Sequence, residues 1–102
     1  MPTTTQRERT DELLQLLSHQ HRREILYWLR TKPDKSATLD ELTEYLDSSS
    51  VGSVSDIELY HVLLPKLDES EWAQWHTQES MIQYYPDRLC EELLRVLRSR
   101  EG

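Results

Sequence analysis

A chain of 102 residues has room for one hydrophobic core and not two; at 36% hydrophobic and 30% charged residues it is polar, yet too rich in leucine and aromatics to stay disordered. No apolar run approaches the ~20 residues of a membrane helix, and the opening MPTTTQRERT lacks the apolar stretch of a signal peptide, so no membrane contact and a cytoplasmic location are expected. Nineteen acidic residues oppose twelve basic ones, three lysines and nine arginines, for a net charge of −7, which ordinarily repels nucleic acid but also suits the surface of a protein from a salt-loving cell.

The charge is unevenly placed. Residues 1–35 hold seven basic and five acidic side chains, residues 36–92 two and thirteen, and residues 93–102 three and one. Both ends are therefore basic and the middle acidic, the usual mark of a solvated face.

In chain order, residues 1–9 are expected to form a flexible tail, residues 10–99 a single domain and residues 100–102 a short tail. TDELLQLLS groups Leu13, Leu14, Leu16 and Leu17 on one broad stripe and predicts a first helix of about two turns. HRREILYWLR sets Ile25, Leu26 and Leu29 at helical spacing, and Pro33 biases Lys32 out of the helical region, ending the second helix near Thr31. In TLDELTEYLD, Thr38 and Glu41 form a capping-box pair ahead of Leu39, Leu42 and Leu46, a third, short helix. SSSVGSVS has the composition of a mobile loop. Ser55 and Glu58 make a second capping box, opening a fourth helix through Ile57, Leu59, Tyr60, Leu63, Leu64 and Leu67.

That fourth helix contains Pro65, which removes a backbone donor and crowds the carbonyl of His61 at a cost of about 3 kcal/mol or more. A bend whose freed carbonyl meets water would tolerate it. After Ser70 the period changes to two: Trp72, Gln74 and His76 alternate with Ala73 and Trp75, TQES makes a turn, and MIQYY alternates again, a two-stranded β-hairpin. Pro86 at a first helical position and Asp87 near the positive end of the dipole open a last helix carrying Leu89, Cys90, Leu93, Leu94, Val96 and Leu97.

Four helices, a two-stranded hairpin and a C-terminal helix make a mainly α, α+β order, that of a winged helix-turn-helix domain. LLSHQHRREILYWL is similar to the opening of arsenic-repressor-like winged helices, and LYHVLLPKLDESEWAQW resembles the LPKL-containing segment of a haloarchaeal winged-helix family of mostly uncharacterised proteins; the likeness runs without a gap from about Leu13 to Tyr85. It implies that Pro65 sits late in a recognition helix, kinking it so that Lys66 and Leu67 turn toward the first wing strand and Leu67 caps the core. It also exposes departures. Asp56 and Glu58 stand where that family often has basic or small polar residues, Glu71 and Ser80 replace the glycines before and within the wing turn, and His19 and Gln20 replace Asp or Asn followed by Pro.

Catalysis is not expected: Cys90 lies in an apolar helix, no glycine-rich elbow flanks a serine, and two glycines, Gly52 and Gly102, build no phosphate loop. Cys90 has no second cysteine for a disulfide. His19, His21, His61, His76 and Cys90 lack metal-site spacing, so no metal or cofactor is expected. Trp72, Trp75, Tyr84 and Tyr85 read as a hairpin packing on helices before they read as a stacking platform.

The expected function is a small homodimeric transcription regulator that binds double-stranded DNA, with the helix from about residue 55 to 66 in the major groove and the wing from 72 to 85 on the flanking backbone. Arg22 and Arg23 are its expected phosphate contacts, Tyr60 and His61 reach base edges, and Ser53, Ser55, Lys66 and Gln78 supply further donors. Leu13, Leu17, Leu93, Leu94 and Leu97 on the first and last helices are the expected dimer interface. The alternative keeps the fold and drops the DNA: a module docking another regulatory protein through the acidic fourth helix.

Overall fold

The computed structural model describes residues 6–101; residues 1–5 of the expected tail and Gly102 lie outside the described residues. The chain is α+β and mainly helical, five helices and a small antiparallel sheet: α1 (Gln6–Leu16), α2 (Gln20–Thr31), β1 (Ser36–Thr38), α3 (Leu39–Ser48), α4 (residues 56–68), β2 (Ala73–His76), β3 (Met81–Tyr84) and α5 (Arg88–Glu101). The sheet has three strands in the order β1-β3-β2 rather than the two expected. Ser36, Ala37 and Thr38 pair with Gln83, Ile82 and Met81. Three residues are too short for an alternating pattern to show in sequence.

Local chemistry accounts for the helix ends. His19 caps α2 by accepting from the His21 N–H at 3.2 Å, the role an Asp or Asn would fill. Burial, then Arg22 and His21, hold its ring below the ordinary range, which keeps Nδ1 free to accept. Thr38 and Glu41 form both halves of their capping box. Ser55 accepts from the Glu58 N–H at 3.1 Å and starts α4. For α5 the cap is Asp87, whose Oδ1 accepts the Cys90 N–H at 2.9 Å; Pro86 thus precedes the cap and is not a first helical residue. At the hairpin turn Ser80 adopts φ 51°, a left-handed conformation that glycine would hold with less strain.

The answer to Pro65 is a change of helix type. Residues Leu59–Leu63 form a π-helical turn, and the Leu64 N–H reaches the Leu59 carbonyl five residues back. The wider turn separates the proline ring from the His61 carbonyl it would meet in a regular α-helix. It also sets later residues back by one position, about 100°. As a result Leu63, Leu64 and Leu67 follow Leu59 into the core, while the consecutive residues Tyr60, His61 and Val62 all face outward.

One core joins the layers, with Leu13, Ile25, Leu26, Leu29, Leu42, Leu63, Leu67, Ile82 and Leu94 fully buried. Around it, polar clamps fix the helices. Arg30 donates to Glu91 at 2.8 Å and the Tyr84 hydroxyl donates to the same carboxylate at 2.6 Å. Arg23 donates to Glu101 at 2.9 Å, with Tyr27 on the other oxygen. These pairs place the start of α5 at the end of α2 and its end at the start, so the two helices run antiparallel. At the N-cap of α5 Asp87 accepts from Trp72 Nε1 at 3.1 Å and from Arg9, which also forks onto Glu71 at 2.7 and 3.1 Å. Arg9 belongs to α1, which starts at Gln6, ahead of the expected end of the tail.

These clamps set the acid limit of stability. Arg30 draws the Glu91 carboxyl below its ordinary 4.5 and Arg23 does the same for Glu101, in each case against burial. Burial raises Asp87, but the Cys90 N–H, Arg9 and Trp72 outweigh it and hold it below 3.8. A depressed carboxyl contributes stability that is complete above its unfolded value and is lost as pH falls through the lower folded one. Urea midpoints measured against pH should therefore fall below 4.5 and not above it; a midpoint constant down to about pH 3 would show that the clamps do not hold in solution.

Candidate nucleic-acid interface

Three of the eight expected contact residues lie on α4 and two more in the loop before it. Ser53 and Ser55 are exposed in the approach to the helix, and Tyr60, His61 and Lys66 are exposed along it. His21 Nε2 lies 3.2 Å from the Gly52 carbonyl, tying that approach to α2, and Gly52 holds φ +85° with open space where a Cβ would stand. Gln78 is exposed at the tip of the β2–β3 hairpin. The hairpin and α4 meet directly: the rings of Tyr60 and Trp75 are 6.2 Å apart and edge-on. Residues 64–68 pack along β2 with Leu67 fully buried, so the helix end does turn onto the strand.

Two expected phosphate contacts are engaged elsewhere. Arg22 is 8% exposed and donates to the carbonyls of Leu16 at 2.6 Å and Gln15 at 2.9 Å, closing the C-terminal end of α1. Arg23 donates to the Leu17 carbonyl at 2.7 Å as well as to Glu101. Both side chains serve the turn between α1 and α2, because helix C-termini leave carbonyls without partners.

The expected dimer residues are corrected in the same way. Leu13, Leu17 and Leu94 are 0–3% exposed within the single chain. They belong to its core and cannot also meet a second copy. Leu93 and Leu97 are half-buried against that core, and the exposed apolar side chains of the two helices are Leu14 and Val96.

Two exposed residues of α4 escape a reading by period. Ile57 is 74% and Val62 50% exposed. For Ile57 a signal existed: it lies two residues from Leu59, and positions two apart on a helix point to different sides. Val62 had none, since its exposure follows from the π turn. Tyr60 is exposed as well, at 42%, and the charges along and just after α4 are Asp56, Glu58, Asp68 and Glu69 against the single basic residue Lys66, which lies 3.9 Å from Glu69.

Among the described residues no three His, Cys, Asp or Glu side chains are grouped to hold a metal ion. Cys90 is buried and its thiol is pushed up to about 11, chiefly by burial, which disfavours the thiolate a nucleophile needs. No helix among the described residues is long and apolar enough to cross a membrane. No protein-family model matches the chain, and neither a curated protein nor a solved structure matches it.

Proposed function

We propose that the chain is a winged-helix transcription regulator that binds double-stranded DNA through the outward face of α4, with the β2–β3 hairpin as the wing. The observation that carries the reading is one continuous layout: α3, a loop, then α4 with Tyr60, His61 and Lys66 turned outward and joined through Tyr60 and Trp75 to an antiparallel hairpin with Gln78 at its tip. Helix-turn-helix proteins place such a second helix in the major groove, where side chains near its start reach base edges. Acidity opposes this at low salt. At molar salt the Debye length is ~3 Å, and the long-range repulsion from the net charge is largely screened. A haloarchaeal cytoplasm would provide that condition.

The regulator acts as a homodimer that brings two copies of α4 to half-sites about one helical turn apart. Its interface uses the apolar side chains left outside the core on α1 and α5: Leu14, Leu93, Val96 and Leu97. The test is selection from genomic DNA fragments at low and molar potassium chloride. Recurrent fragments with a shared palindrome are expected, lost when Tyr60 and His61 are changed to alanine. Lys66→Ala should weaken all sequences evenly and lower the salt slope by about one, the signature of a phosphate contact.

A second reading has its own observation, the exposed apolar side chains Ile57, Tyr60 and Val62 on a helix that also carries Asp56, Glu58 and Asp68: α4 docks a protein with a basic, apolar surface. Asp56→Ser with Glu58→Ser separates the two readings. The change strengthens DNA binding if α4 meets phosphates and weakens a protein complex if α4 meets a basic partner. A folded protein that enriches no fragment at either salt would overturn the DNA reading.

A further inference from the structure

A cleft of about 520 Å3 opens between the second half of α1, the end of α4 and the segment leading into β2, a volume in the range of small-molecule sites. Arg22 lines it. Arg9, Arg23 and Arg30 each pair with carboxylates that raise their pKa values. Arg22, though more than nine-tenths buried, has no carboxylate within ion-pair distance among the described residues, and burial lowers its pKa. Its Nε and Nη2 are held by carbonyls at the end of α1 and by Ser18 Oγ at 3.5 Å. Nη1 has no protein partner among the described residues, and no side-chain nitrogen or oxygen there is buried without one. It therefore meets solvent, and Arg22 is one of the residues that line the cleft.

A buried charge is usually paired. Here the helix C-terminus offers only partial negative charge; a full counter-charge has to come from outside the chain. Lys66 provides a second cation on the wall formed by α4. The third element is Glu12, exposed on the same lining one helical turn before the carbonyls that hold Arg22, and with no ion-pair partner among the described residues. One turn is about 5 Å of helix. A simple anion would meet the carboxylates of Glu12, Glu69 and Glu71, and a simple cation would meet Arg22 and Lys66.

A molecule carrying both charges close together satisfies the two sets at once. We propose that this cleft binds a small zwitterion of the α-amino-acid type, with its carboxylate on Arg22 Nη1 and Lys66 Nζ and its ammonium group on Glu12. Because Lys66 belongs to α4, an occupied cleft fixes a residue of the outward-facing helix. The site stands whether α4 meets DNA or a protein.

The test is thermal unfolding of the full chain in molar potassium chloride with each of the twenty common amino acids at about 10 mM, a concentration at which a millimolar ligand still stabilises. Acetate and methylammonium, alone, are the single-charge controls. One or more amino acids should raise Tm saturably while both controls leave it unchanged. Glu12→Gln, which alters an exposed side chain and leaves Arg22 in place, should keep the Tm of the free protein and weaken binding by calorimetry about tenfold or more, as loss of a charge pair does. Lys66→Ala should weaken it less. The proposal is overturned if no amino acid shifts Tm, if acetate alone gives the same gain, or if Glu12→Gln binds as tightly as the native chain.

Discussion

Trp72→Ala should destabilise the domain by about 3–5 kcal/mol, the largest effect expected of any single exchange described above. Trp72 is 1% exposed, precedes β2, and gives its indole N–H to Asp87 at 3.1 Å while the Arg9 guanidinium lies 5.5 Å from its ring centre. Removing it opens a cavity and at the same time unties the hairpin from α1 and α5. In a domain of this size about 1 kcal/mol moves Tm by roughly 4–8 °C, so the variant is expected to be largely unfolded at 37 °C. Trp72→Phe isolates the polar share: it keeps most of the packing, loses the donor to Asp87, and should cost about 1–2 kcal/mol. Equal losses in both variants, by urea unfolding, would mean that the hydrogen bond and not the packing carries the site.

Glu91→Ala is the second. The Tyr84 hydroxyl, on a residue 1% exposed, would keep Cys90 Sγ at 3.5 Å as its neighbour, and Arg30 would lose all three of its bonds to the carboxylate. Leaving a buried donor unsatisfied costs about 1–3 kcal/mol, and losing the ion pair adds to it. A total near 3 kcal/mol is expected, with less for Glu91→Gln, which still accepts from Tyr84. The pair lies partly out of solvent, so its worth should persist at molar salt where exposed pairs such as Lys66 with Glu69 fade. A cycle with Tyr84→Phe checks this: Glu91→Ala should cost less in the phenylalanine background. If the two costs simply add, Tyr84 and Glu91 do not interact in solution.

How much of this was legible depends on the range of the interaction. Helices with a cap and a full apolar stripe were readable from local spacing: α2 ends at Thr31 where Pro33 dictates, and Thr38 starts α3. The hairpin followed from alternation in WAQWH and MIQYY. The strand Ser36–Thr38 was not readable, because it is a strand only by pairing with residues more than forty positions away. The candidate site was readable in part. Tyr60, His61, Lys66, Ser53, Ser55 and Gln78 are exposed as a contact surface requires. Arg22 and Arg23 instead close the turn after α1, a use that depends on where that turn lies in space.

By itself, then, the sequence determined the order of helices and hairpin, the acidity of the middle of the chain, and the presence of a proline that a regular helix could not hold. These are properties of neighbouring residues, and periodicity, capping and charge report them. Tertiary structure decided which leucines stayed outside the core, which arginines were already engaged within the chain, and which side of α4 faces out. Leu13, Leu17 and Leu94 looked surplus until packing put them in the core. The π turn that answers Pro65 rotated Tyr60, His61 and Val62 to the surface together. Such outcomes come from filling one core from many elements at once, and no local pattern carries that information.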